Sequence, residues 1–161
     1  MRRVVLAALL LAGCERSTEA SDDAAAGRAL EAAALDAGIV ADPADAVGVY
    51  AAGEDRVCMA RIAPDRYRIG VSVDYGAGQR CIAHGTARGR ATLDVDLGAG
   101  CRVKVSHDGD RLSFPAQTPA KCAPLCQGRA ALDALTVDRL SGAGGEAARL
   151  RGADGALLCT D

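Results

Sequence analysis

Between residues 66 and 74 apolar and polar side chains alternate. Tyr67, Ile69, Val71 and Val73 fall on one face of an extended chain, and Arg68, Gly70, Ser72 and Asp74 on the other. A period of two marks a strand with one buried face. The pattern returns in Thr92-Leu93-Asp94-Val95-Asp96-Leu97 and in Cys101-Arg102-Val103-Lys104-Val105. Strands are therefore expected over 67–75, 91–97 and 101–106, and shorter apolar runs at 57–62, 80–83 and 111–114 read the same way. Ala63-Pro64-Asp65 and Gly76-Ala77-Gly78 supply turns. The clearest hairpin signal is His107-Asp108-Gly109-Asp110, because glycine tolerates the positive φ of a tight turn. That reading places His107 at a solvated tip. The expected fold is mainly β: a small antiparallel meander, closed as a barrel or folded as a sandwich.

Helical signals flank the strands. Ser21-Asp22-Asp23 offers a cap and favourable first-turn charge for a helix over 24–37, with Gly38 as a stop. Its apolar stripe is thin: Leu30, Ala33, Ala34 and Ala37. Asp42-Pro43 then breaks the chain. Near the C-terminus residues 129–135 fit a short helix with Ala131, Leu132 and Leu135 inward, and 136–140 fit a strand. Residues 141–145 read as a loop, and 156–159 as a last strand stapled by Cys159.

The first residues have a different texture. Arg2 and Arg3 precede nine apolar residues, Val4 to Ala12, and then Gly13-Cys14. A basic start, a short apolar run and small residues are the parts of an export signal. Nine residues fall well short of the roughly 20 a transmembrane helix needs. Leu11-Ala12-Gly13-Cys14 resembles the lipobox of bacterial lipoproteins. The resemblance implies that Cys14 becomes an acylated N-terminus, holding the protein to a membrane without spanning it. In that class an aspartate after the cysteine favours the inner membrane, so Glu15 implies the outer membrane, facing the periplasm. The expected organisation is a signal peptide at 1–13, a lipidated tether at 14–23, a helix at 24–38 and a β-domain at 45–161.

Cysteine parity fits that address. Seven cysteines less Cys14 leave Cys58, Cys81, Cys101, Cys122, Cys126 and Cys159, an even set that reads as three disulfides in an oxidising compartment. Their connectivity is open at this level. Tyr50, Tyr67, Tyr75 and Phe114 are the only aromatic residues, so the core is thin and cross-links are needed to support it. Without Arg2 and Arg3, 17 basic residues stand against 21 acidic, a net charge of −4. That balance offers no footprint for nucleic acid.

Candidate chemistry is sparse. His84 follows a strand and is the one candidate for a pocket border. Cys122-x-x-x-Cys126 reads as disulfide sulfurs rather than half a metal site. Ser106-His107-Asp108 has the letters of a triad, but consecutive residues do not converge as triad members do. Gly85-x-x-x-Gly89 lacks the lysine of a phosphate loop, and its glycines suit a strand connection. Arg88, Arg90, Arg102 and Lys104 read as a basic, solvated sheet face, and Asp94 and Asp96 share one strand face.

No catalytic residue, metal or cofactor is assigned. The expected function is binding of an envelope or cell-wall partner, with a small-ligand carrier as the alternative. A small cysteine-bearing β-domain behind a lipid tether also resembles membrane-bound lysozyme inhibitors. Those carry a tyrosine–cysteine–glycine pattern and a serine–glycine–tyrosine loop. Here Tyr75-Gly-Ala-Gly-Gln-Arg-Cys81 is spaced differently and no Ser-Gly-x-x-Tyr occurs, so none of that family's inhibitory residues is carried over.

Overall fold

Eight strands follow one another around a closed antiparallel barrel, β8 returning to pair with β1, in a computed structural model that describes residues 19–36 and 42–160. The strands are β1 (Gly48–Ala52), β2 (Asp55–Ala63), β3 (Arg66–Asp74), β4 (Arg80–Gly89), β5 (Thr92–Asp96), β6 (Arg102–His107), β7 (Arg111–Ser113) and β8 (Thr136–Ser141). Of the two architectures left open by the alternation, the barrel is the one formed. Two helices accompany it, α1 (Glu19–Asp36) and the short α2 (Gly144–Ala147). The chain divides into two units at Ile39/Val40. In the first, α1 starts at Glu19, ahead of the expected 24, and residues 23–33 are all exposed. The leader 1–13, Cys14 with the start of the tether, and Gly38 lie outside the described residues.

Alternation decides what fills the barrel. Tyr67, Ile69, Val71 and Val73 of β3 are each 0–1% exposed, and they join Val57, Met59, Leu93, Val95, Val103, Val105, Leu112 and Val137 in one core. β6 shows the rule most plainly: Val103, Val105 and His107 point in, while Arg102, Lys104 and Ser106 point out. β4 runs to Gly89, so Gly85 and Gly89 lie within a strand and not in a connection. At Gly85 the barrel wall turns from β3 to β5, and an added Cβ would sit 1.9 Å from the Asp96 carbonyl oxygen.

One end of the barrel is closed by an excursion, residues 115–135, held by two cross-links. Cys122, in a 3-10 helix (Ala120–Leu125), bonds to Cys101, and Cys126 bonds to Cys81. Leu132 and Leu135 then turn into the core. Residues 129–135 form turns and not the expected helix: Thr118 Oγ1 and N donate to Asp133 at 2.6 and 2.8 Å, and Ala134 takes φ of 53°. The short C-terminal helix lies instead at Gly144–Ala147, in the stretch expected as loop.

The C-terminal segment packs against the outside of the barrel. Ala147, Leu158 and Cys159 form a second apolar cluster with Val49 and Cys58, and Cys58 bonds to Cys159. Residues 156–159 are therefore a bridge and turn and not a strand, with Leu157 bridging Arg151. This cover explains why β3 is buried on both faces. At Gly70 an added Cβ would lie 2.1 Å from the Leu158 carbonyl oxygen, so only glycine lets the segment approach so closely. Ser72 Oγ accepts from Ala153 N at 3.0 Å.

Candidate functional site

Three places bear polar groups worth weighing as sites. The first is His84, on the outward face of β4. Its Nδ1 lies 2.8 Å from the carbonyl oxygen of Leu158, which accepts only, so Nδ1 carries the proton. His84 thus clasps the C-terminal segment to the barrel.

The second is inside the barrel, at the end opposite the disulfide-bound excursion. His107 is 4% exposed, which corrects the expectation of a solvated tip. The Asp108-Gly109 turn does form, with Asp108 N donating to Arg111 O at 3.2 Å. His107 is nevertheless the last residue of β6, and the strand's phase sends it inward behind Val103 and Val105. Tyr50 of β1 and Arg139 of β8 meet it there, brought together by their pairing across the closing seam.

Arg139 Nη2 donates to Tyr50 Oη at 2.9 Å and to the carbonyl of Asp45, and lies 3.0 Å from His107 Nε2. Tyr50 Oη in turn donates to Ala46 O at 3.0 Å, tying down the chain that enters β1. The carbonyls of Arg90 and Gly109 lie 3.2 Å from His107 Nδ1 and Nε2 respectively. The Arg139 guanidinium also lies over the Tyr50 ring, 5.4 Å from its centre. Burial, then the Arg139 charge, holds the imidazole below its ordinary pKa. Burial pushes the Tyr50 hydroxyl up to about 12. Both rings are thus held towards their uncharged forms beside the Arg139 cation. Sequence reasoning missed this trio; the alternation of β6, carried two residues further, finds His107.

The third place is the outer face of β3 to β6. Asp94 and Asp96 of β5 stand opposite Lys104 and Arg102 of β6, and each pair closes: Lys104 Nζ to Asp94 Oδ1 at 2.5 Å, Arg102 Nε to Asp96 Oδ2 at 2.8 Å. The hydrogen bond from Arg102 holds the Asp96 carboxyl below the usual carboxylate range. Arg88 lies on the same face, in a cleft of about 530 Å³ that also includes Arg66, Thr86 and the four paired residues. Arg90 belongs elsewhere, its Nε donating to Asp65 at 2.8 Å. The expected basic face thus forms from three of its four members, joined by Arg66.

Cys122 and Cys126 have different cysteine partners, which disposes of a half metal site. Among the described residues no three His, Cys, Asp or Glu side chains gather to hold an ion. No described helix is long and apolar enough to cross a membrane. No protein-family model, no curated protein and no solved structure matches this chain.

Proposed function

We propose that this chain is a non-catalytic lipoprotein of the bacterial cell envelope, tethered through acylated Cys14, whose barrel binds an envelope or cell-wall partner at its outer surface. The observation that carries the reading is the pairing of the cysteines. All six cysteines of the β-domain are spent on one another, so of seven in the chain only Cys14 remains outside the three cross-links. A fully oxidised domain suits an exported protein. The lipobox-like Leu11-Ala12-Gly13-Cys14 then gives the remaining thiol a chemical fate and the protein a bilayer, the outer membrane by the choice of Glu15.

The packing supports surface binding over carriage of cargo inside the barrel, because Val71, Val95 and Val103 occupy the interior within one continuous core. The polar trio at one end is spent on sealing the barrel. The outer face, by contrast, carries charge in ordered rows.

The intact mass of the mature protein tests the reading. The expected product begins at Cys14, is heavier than its polypeptide by acyl groups, and is lighter by six hydrogens for three disulfides. An unmodified N-terminus, or six free thiols, overturns it.

A further inference from the structure

Five outward-facing cations on this barrel pair with carboxylates. Arg61 pairs with Asp45, Arg90 with Asp65, Arg102 with Asp96, Lys104 with Asp94 and Arg111 with Asp138. Arg66 and Arg88 differ from these five. They stand directly opposite each other on β3 and β4, and neither has a carboxylate partner among the described residues. On its other side Arg88 faces Asp94, but that carboxylate is bonded to Lys104.

Directly opposed residues in an antiparallel pair hold their Cβ atoms about 5 Å apart, and like charges so placed repel. An oxyanion between them removes the repulsion and accepts from both guanidinium forks, geometry that suits carboxylate and phosphate. The cleft around them, about 530 Å³, lies within the range of small-ligand sites, roughly 300–1,000 Å³. Its remaining polar lining sets the rest of the ligand's chemistry. Thr86, Asp94 and Asp96 supply a hydroxyl and carboxylate oxygens along the same groove. Carboxylates there repel a second negative charge and accept from neutral hydroxyl donors.

The geometry points to an acidic-saccharide site on the outer face of β3 to β6, in which Arg66 and Arg88 clasp a single carboxylate or phosphate while Thr86, Asp94 and Asp96 take the sugar hydroxyls. The site deepens the binding reading above by naming a ligand class. It fails separately from the anchor, since titration reads one and the mass of the N-terminus reads the other.

Calorimetric titration of the full disulfide-bonded chain with glucuronate, glucose 6-phosphate, glucose and inorganic phosphate tests it. Either acidic sugar is expected to bind with a dissociation constant below about 1 mM, more weakly as salt rises, and glucose not to bind measurably. R66Q/R88Q should lose at least about tenfold in affinity, which is about 1.4 kcal/mol, while R111Q outside the cleft should lose none. R88K keeps the charge without the fork and should recover only part of the loss. Retained melting temperature in R66Q/R88Q separates loss of the site from loss of the fold. Absence of binding by both acidic sugars, or undiminished binding by R66Q/R88Q, overturns the site. Inorganic phosphate binding as tightly as glucose 6-phosphate overturns the saccharide assignment and leaves an adventitious ion only.

Discussion

Arg139 Nη2 lies 3.0 Å from His107 Nε2, setting a permanent cation against a buried imidazole. The other nitrogen is already committed to the Arg90 carbonyl. A second proton on the ring would place an imidazolium against a guanidinium inside the barrel. The Gly109 and Arg90 carbonyls, and then Asp108, offset this only in part, because burial and Arg139 outweigh them at the ring.

Acid should therefore weaken the fold through His107. Its folded pKa lies below the ordinary 6.5, so the unfolded chain binds the proton first. The stability this contributes is complete above 6.5 and is lost as pH falls through the folded value. Melting temperature measured from pH 8 down to pH 5 should fall, and H107Q should flatten that fall. Equal slopes in the two proteins would remove His107 as the cause.

Tyr50 gives the alkaline counterpart. With its folded pKa pushed up to about 12, the folded chain holds the phenolic proton longer than the unfolded chain, so stability declines from about pH 10 to 12. Absorbance of phenolate should show one late-titrating tyrosine, absent in Y50F. The same variant leaves Ala46 O and an Arg139 proton without a partner, at about 1–3 kcal/mol in urea unfolding.

Gly70→Ala should loosen the C-terminal segment. A Cβ placed 2.1 Å from Leu158 O must displace backbone, and such overpacking costs about 1–3 kcal/mol. His84→Ala removes only the clasp on that same oxygen and should cost about 1 kcal/mol with the barrel intact. Limited proteolysis after residue 142 separates them: G70A should be cut faster than H84A, and both faster than the parent.

The three cross-links should differ in worth. Cys58–Cys159 encloses 101 residues and Cys101–Cys122 only 21. Loop-closure entropy then gives about 4.7 against about 3.3 kcal/mol. Paired Cys→Ala variants compared by urea unfolding check the order; a larger loss from the shorter loop would contradict it.

Much of the barrel is legible in the alternation alone. Tyr67, Ile69, Val71 and Val73 fill the interior as their spacing requires. His107 shows the limit: the Asp-Gly turn beside it is a strong local signal, and it masked the strand phase that buries the ring. Residues 129–135 carry helix-forming side chains, yet the neighbouring Cys126 cross-link and the Asp133 turn hold them otherwise. Nothing local announces that the outer side of Cys58 and Gly70 is covered, because the cover comes from residues about 90 to 100 positions away. The basic cleft was half visible. Arg102 and Lys104 share a face by strand spacing, but Arg88 and Arg66 join them only through the registers of β3 to β6.

Because β8 hydrogen-bonds back to β1, no strand of the sheet is a free edge along its whole length, and strand-to-strand gaps are confined to β4 before Thr86 and β6 before Ser106. The binding proposed above then runs through side chains on the barrel wall, and amide exchange in the eight strands should be unchanged by complex formation. The same closure works against runaway stacking of copies edge to edge.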